Sequence, residues 1–369
     1  MTEGHPASVA ELDTPAILID LEVMERNLSR VAGYTQEHAL RLRPHTKTHK
    51  IPALARNQLQ LGAAGLTVAK VSEAEVMLEA EPPDLLLAFP IIGRTKLQRL
   101  MQVARKTSVT VSLDSLEAAR QLSEAANAAR IEAGVLAETD VGLGRVGVAP
   151  GDGLRELIEG IRRLPNLRWE GIAFYPGQIK TLDETGEREL EKLAQLLDKM
   201  LSDLARAGLK PRIVSGGSTP TLFCSHRLPG VNEVRPGTYI FNDRNTVLSG
   251  ACGWEDCAAS ILVTVVSTAK PGQMIVDGGS KTFSSDRPAA GAEVSFGRVV
   301  EAPESVFARM NEEHGFIELR DGPRFAVGDR VRIIPNHVCV AMNLHECVYG
   351  IRGSAVEQVW RVAGRGKLQ

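Results

Sequence analysis

The feature that most restricts this chain is a regular alternation. Between residue 14 and about residue 245, short apolar runs alternate with longer stretches whose apolar residues recur at helical spacing. Residues 16–20, 40–45, 65–69, 85–89, 109–113, 134–138, 171–175 and 212–214 read as strands. Residues 21–36, 51–61, 72–79, 96–104, 116–129 and 187–207 read as helices. Strands divided by helices at this interval imply a parallel sheet, because each return to the same edge needs a crossover. About eight such units favour a (β/α)8 TIM-type barrel over an open sheet.

After residue 250 the texture changes. Residues 261–266, 274–276, 297–300, 315–319, 330–334, 338–342 and 356–362 are short β-like runs divided by Pro, Gly and Asp, and helical periodicity nearly disappears. The expected organisation is a barrel over residues 14–248 and an antiparallel β domain over residues 249–369, with residues 1–13 packing near the second. A length of 369 residues exceeds what a bare barrel needs and fits two domains.

The bulk numbers exclude several partners. The formal charge of -2 and the lack of a basic block argue against nucleic acid and anionic membrane. No apolar stretch follows a basic start in residues 1–13, and no run of about 20 apolar residues is present. A cytoplasmic location is therefore expected. The five cysteines form no regular framework, as in a reducing compartment. Cys252 and Cys257 remain open as a pair, a metal site or idle thiols.

Barrel enzymes carry reactive groups where strands end. Those points bring Lys47, Asp140 and Arg145, Tyr175, then Ser215, Gly216, Gly217, Ser218 and Thr219, and finally Arg235 to Tyr239. A lysine in a dry site loses its proton readily and becomes a nucleophile for a carbonyl. Two glycines and a hydroxyl at a helix start let backbone N–H groups approach a phosphate. Taken singly, Lys47 reads equally as a surface lysine, Ser-Gly-Gly-Ser as a plain turn, Arg145 as an ion-pair partner and Tyr175 as a core aromatic. Their shared place at strand ends favours a phosphorylated, electron-withdrawing cofactor.

In the second domain, His337 and Cys339 stand two apart on a β-like run, where i and i+2 side chains share a face. Imidazole and thiolate suit Zn²⁺ rather than Mg²⁺ or Ca²⁺, and two protein ligands leave positions open for water or substrate. An isolated His-x-Cys reads more simply as a core cysteine beside a satisfied histidine. His345 and Cys347 repeat the spacing and are a rival pair.

The ordered set of motifs resembles the fold-type III pyridoxal-phosphate enzymes, in particular the D-threonine aldolase and eukaryotic-type D-serine dehydratase group of alanine racemase-like proteins. The motifs are Asp13-Thr14-Pro15-Ala16, Arg43-Pro44-His45-Thr46-Lys47-Thr48-His49-Lys50 and Asp140-Val141-Gly142-Leu143-Gly144-Arg145-Val146-Gly147. They continue through Ser215-Gly216-Gly217-Ser218-Thr219-Pro220, Arg235-Pro236-Gly237-Thr238-Tyr239, Asp277-Gly278-Gly279-Ser280-Lys281, Ser284-Ser285-Asp286 and Pro335-Asn336-His337-Val338-Cys339.

The resemblance implies that Lys47 binds pyridoxal 5'-phosphate covalently and that Arg145 meets its phenolic oxygen. Ser215, Gly216, Gly217, Ser218, Thr219 and Tyr239 then belong to its phosphate segments, and Tyr175 lies beside its ring. His337 and Cys339 become ligands of a divalent metal, zinc ahead of manganese. It further implies a homodimer acting on a small D-amino acid with a β-hydroxyl group. The aldolase outcome is glycine and an aldehyde; the dehydratase alternative gives a keto acid and ammonia from D-serine or D-3-hydroxyaspartate. A racemase and a non-catalytic cofactor carrier are weaker rivals.

Two departures from the group stand out. Pro176-Gly177-Gln178 replaces the histidines that follow the tyrosine in many of the aldolases, so the second base is unassigned. Cys339 matches the dehydratases, whereas Met342-Asn343-Leu344, Gly350-Ile351-Arg352-Gly353 and Trp360 read more like the aldolases.

Overall fold

The computed structural model describes residues 6–288, 294–320 and 324–369. These divide into two compact units: the described residues up to Ser29, Thr48–Ile51 and those within Thr238–Arg365 form one, and Arg30–Lys47, Pro52–Gly237 and Gly366–Gln369 the other. Among the described residues, no helix is long and apolar enough to cross a membrane.

The first strand, β1 (Ala16–Asp20), corrects one expectation. It opens the alternating region, yet it lies in the sheet of the first unit, paired antiparallel with residues 259–262 and parallel with residues 348–351. Its Ala-Ile-Leu-Ile run is buried throughout, and that pattern is equally at home in either sheet. Helix α1 (Leu21–Glu37) follows it.

The second unit contains eight parallel strands among the described residues. In chain order they are β2 (Arg41–Leu42), β3 (Leu66–Val68), β4 (Asp84–Leu87), β5 (Ser108–Leu113), β6 (Ala133–Glu138), β7 (Leu167–Ala173), β8 (Ile213–Gly216) and β9 (Glu233–Val234). Their spatial order runs from β2 through β9 and down to β3. A parallel bridge between His45 and Thr67, with Ala64 N–H donating to Leu42 O at 2.8 Å, joins β3 back to the β2 segment and closes the barrel.

Helices α2 (Pro52–Gln60), α3 (Val71–Met77), α4 (Arg94–Ala104), α5 (Leu116–Ala129), α6 (Asp152–Arg162) and α7 (Glu184–Arg206) return the chain between strands. Caps set their starts: Ser115 accepts from Ala118 N–H at α5, and Asp183 accepts from Gly186 N–H at α7. Each buries one stripe, as with Leu154, Leu157, Ile158 and Ile161 of α6, which pack in the large cluster between sheet and helices. Inside the barrel Leu86, Leu136, Ala173 and Ile213 form an apolar layer. A polar network lies in the same unit. Arg43, only 1% exposed, donates Nε to Glu233 Oε2 at 3.0 Å and also pairs with Asp84. Ser215 Oγ donates to Glu233 Oε1 at 2.7 Å.

In the first unit, helices α8 (Arg244–Leu248) and α9 (Ser280–Phe283) accompany β10 (Ala259–Ser267), β11 (Gln273–Val276), β12 (Gly297–Val299), β13 (Val306–Met310), β14 (Gly315–Glu318) and β15 (Arg330–Pro335). Helix α10 (Val338–Leu344) and strands β16 (Cys347–Arg352) and β17 (Ala355–Arg361) follow. The sheet runs β13-β14-β11-β10-β1-β16-β17, with β15 joining β10 to β12. All of its pairings are antiparallel except β1 with β16. Residues 338–342, expected as strand, are helical instead: the chain is extended only through His337, with φ -138° and ψ 99°. Five apolar residues are too few to separate a strand from the first turns of a buried helix.

Candidate active site

The barrel places its chemistry-bearing residues at the C-terminal ends of its strands. Beyond β2 the backbone is held on both sides: His45 N–H donates to Pro236 O and Thr46 N–H to Thr67 O, both at 2.9 Å. This fixes the position from which Lys47 emerges. Lys47 is exposed, not in the dry setting expected of it.

After β6, Asp140 organises the Gly-rich loop. Its Oδ1 accepts from Gly142 and Leu143 N–H at 3.0 Å each, and its Oδ2 from Gly144 N–H at 3.0 Å. Partial burial pushes this carboxyl up, but the converging amides outweigh it and hold it below the usual range. Gly147 N–H donates to Asp114 Oδ2 at 2.9 Å, and Thr139 bridges to Val148. The loop so shaped sets the Arg145 guanidinium 4.8 Å from the ring centre of Tyr175, which follows β7. Arg145 and Tyr175 are thus brought together. Gln178, three residues on, donates Nε2 to Val141 O at 2.8 Å, while its buried Oε1 has no hydrogen-bond partner among the described residues.

The end of β8 needs both of its glycines. A Cβ on Gly216 would lie 2.0 Å from Cζ of Phe174, a side chain with 0% exposure. Gly217 has φ +100°, where side-chain-bearing residues are strained. Ser215 and Ser218 are buried; Ser218 N–H donates to Thr221 Oγ1 at 3.2 Å, and the two hydroxyls are 3.1 Å apart. A 3-10 turn, Leu222–Arg227, follows. Arg235, after β9, donates to Ser215 Oγ and to Phe174 O, the latter at 3.0 Å. Burial pulls its pKa down, while Glu138 and Glu233 push it back. This buried arginine and Arg43 had no assigned role in the sequence reading. The available signal was an arginine directly after a strand and before a proline, as in Leu42-Arg43-Pro44 and Val234-Arg235-Pro236.

The first unit holds the other named residues. Tyr239 lies in a 3-10 turn, Thr238–Ile240, and is 3% exposed. His337 and Cys339 meet, but not as strand neighbours: His337 caps α10 and Cys339 lies in its first turn. The hydrogen bond that the protonated His337 ring donates to Cys339 pushes its pKa up to about 9 against the opposing effect of burial, helped by Asp243 and Asp286. His337 Nδ1 lies 2.8 Å from Asp286 Oδ2, and Thr48 Oγ1 lies 3.2 Å from Cys339 Sγ. The rival pair is engaged differently. His345 Nε2 lies 3.2 Å from Thr282 O, and burial pulls that imidazole down. Among the described residues, no group of three or more His, Cys, Asp and Glu side chains is placed to hold a metal ion. A cation held by His337 and Cys339 would draw only two ligands from them and keep coordination positions open.

An amine, a cation over an aromatic ring and a glycine–serine turn at the strand ends of a (β/α)8 barrel describe an enzyme that carries a phosphorylated cofactor. The family models agree. Residues 19–245 match the alanine racemase N-terminal domain, and residues 258–351 match the putative serine dehydratase domain. The chain is 32% identical to 3-hydroxy-D-aspartate aldolase of Paracoccus denitrificans (strain Pd 1222), over 97% of this chain and 93% of that protein. It is 34% identical to D-threo-3-hydroxyaspartate dehydratase of Delftia sp. (strain HT23), over 95% and 97%.

Among solved structures, D-threonine aldolase from Filomicrobium marinum superposes with a TM-score of 0.92 at 30% identity, covering 99% of this chain and 100% of that one. A cysteine-to-alanine mutant of D-threo-3-hydroxyaspartate dehydratase, described as in the metal-free form, superposes with a TM-score of 0.86 at 31% identity, covering 96% and 99%. The chain belongs to this alanine racemase-like family, within the group of pyridoxal-phosphate-dependent lyases that includes D-threonine aldolases and D-serine dehydratases.

Proposed function

We propose that this chain is a pyridoxal-phosphate- and divalent-metal-dependent lyase that cleaves a D-3-hydroxy amino acid into glycine and an aldehyde. The observation that carries the reading is Lys47 at the end of β2, in a barrel whose β8 end is a glycine turn closed to any added side chain. Full-length likeness to aldolases acting on such substrates supports it.

Lys47 would hold the cofactor through its side-chain amine, a group that can also hold or pass a proton. Gly216, Gly217 and Ser218 shape the turn that receives the phosphate, with Ser215, Thr219 and Tyr239 assigned to the same task. Arg145, steadied over Tyr175, supplies a fixed cation for the phenolic oxygen. When bound, pyridoxal phosphate supplies an electron sink for bonds at Cα. His337 and Cys339 would hold the metal, Zn²⁺ ahead of Mn²⁺, whose chemistry is to acidify a coordinated hydroxyl. Gln178 is an amide and holds no ionisable proton, so the second base lies elsewhere. We read the protein as a homodimer, which sedimentation or scattering mass would check.

Dehydration to a keto acid and ammonia is the second reading, and the cysteine at position 339 favours it. Incubating the pure protein with D-threonine, D-serine and D-3-hydroxyaspartate separates the two: glycine plus aldehyde marks the aldolase, keto acid plus ammonia the dehydratase. Lys47→Ala is expected to abolish a borohydride-reducible chromophore. An unchanged chromophore in that variant refutes Lys47 as the anchor.

A further inference from the structure

Asp286 belongs to a motif with no assigned role, yet its carboxylate meets the His337 ring directly. Its Oδ2 lies 2.8 Å from His337 Nδ1. The segment is held from both ends. Asp286 N–H donates to Ser284 Oγ at 3.2 Å, and Asp286 O accepts from Asn336 Nδ2 at 2.9 Å. Asn336 precedes His337 in the chain, is 2% exposed, and is itself fixed by donation to Ser295 O at 2.7 Å and by acceptance from Arg244 Nη1 at 3.1 Å. Carboxylate and imidazole are therefore anchored to the same buried amide.

A carboxylate can only accept, so the ring nitrogen facing it carries a proton. With Nδ1 occupied in this way, Nε2 is the ring nitrogen left to meet a metal ion. The sulfur is oriented as well, by Thr48 Oγ1 at 3.2 Å and Thr238 Oγ1 at 3.8 Å. Both side chains of the Asp286 and His337 pair are 41% exposed, so its worth lies in orientation more than in stability.

We propose that Asp286 is the positioning residue of the metal pair: it fixes the His337 tautomer that offers Nε2, together with Cys339 Sγ, to a divalent cation. The inference rests on the reading of His337 and Cys339 as metal ligands. Carboxylates placed behind metal-bound histidines generally hold the ring and raise its basicity, and their loss weakens metal binding by about 10–100-fold.

The test uses the full-length, pyridoxal-phosphate-loaded protein, stripped of metal and titrated with Zn²⁺ against a fluorescent chelator. Wild type, Asp286→Asn, Asp286→Glu and Cys339→Ala are compared, and ligation is read from the zinc-edge X-ray absorption spectrum. The expected result is about a 10–100-fold weaker Zn²⁺ affinity in Asp286→Asn, with the sulfur shell kept and the imidazole contribution diminished. Asp286→Glu recovers part of the loss. A merely structural role would lower thermal stability without separating imidazole from sulfur in the spectrum. Asp286→Asn binding within twofold of wild type, while Cys339→Ala loses the metal, overturns the role of Asp286 alone. Cys339→Ala binding as wild type does overturns the metal reading, and this inference with it. The near-isosteric asparagine guards against misfolding, which the cofactor absorbance of each variant monitors independently.

Discussion

Replacing Gly216 with alanine tests the tightest approach in the barrel. The added methyl would sit 2.0, 2.4 and 2.5 Å from Cζ, Cε1 and Cε2 of Phe174. Carbon atoms in favourable contact are about 3.5–4.0 Å apart, so ring or backbone must retreat by more than about 1 Å. Phe174 has 0% exposure and cannot swing into solvent. Its backbone is also held, since Phe174 N–H donates to Ser215 O at 3.0 Å and Phe174 O accepts from Arg235 at 3.0 Å. Overpacking of this kind costs about 1–3 kcal/mol, and the upper half of that range is expected here. For a unit of this size each kcal/mol moves Tm by about 2–4 °C, which gives a fall of about 4–12 °C. Differential scanning calorimetry reads the shift, and titration with pyridoxal phosphate reads the accompanying loss of affinity. Gly216→Ala combined with Phe174→Leu, which removes the ring, should regain part of both. An unaltered Tm and cofactor affinity in the single variant would show that the strand end is looser than drawn, and the case for the glycine turn would fail.

Other consequences are equally direct. Arg145→Ala should weaken pyridoxal phosphate binding and shift its visible band, because the cation held over Tyr175 is lost; the absorbance spectrum checks it. Removing metal with a strong chelator should abolish turnover while the chromophore persists, and Zn²⁺ should restore activity; retained turnover in metal-free protein would point to a racemase. Glu170, buried and bonded to Arg168 and Arg212, is pushed up by burial but held low overall by the two guanidinium partners. A carboxyl whose folded pKa is depressed adds stability above its unfolded value of about 4.3, and loses it as pH falls through the folded value. Glu170→Gln should therefore cost about 1–3 kcal/mol at neutral pH, a difference that closes toward acid in urea melts.

Much of this architecture was readable from residue order. The strand runs at 65–69, 85–89, 109–113 and 134–138 each lie within a residue or two of β3 to β6, because fully buried parallel strands write uninterrupted apolar blocks. Helix α6 was passed over, although Leu154, Leu157, Ile158 and Ile161 have helical spacing. Gly151 before it and Gly153 and Gly160 within it mask the pattern, and a Cβ on Gly160 would come within 2.2 Å of the Leu116 side chain. Strands β13 and β16 were missed for the same kind of reason, since Arg309 and Gly350 interrupt their apolar character. For the site, residues at strand ends stand out by position alone. Contacts across long separations do not: nothing near Asp286 in the chain signals His337, and nothing near Arg43 signals Glu233.

The placement of β1 has a bearing on how the polypeptide is made. Ala16 faces Leu262 and Ile17 faces Val348, so this strand finds one neighbour after some 250 residues and the other after some 330. A ribosome delivers the whole barrel segment in the interval, and during that time an Ala-Ile-Leu-Ile strip has no sheet to join. Nascent chains halted before residue 348 leave that strip half covered and sticky, an invitation to chaperones. Fusions or truncations at the carboxyl end should therefore harm solubility more than their distance from the barrel suggests.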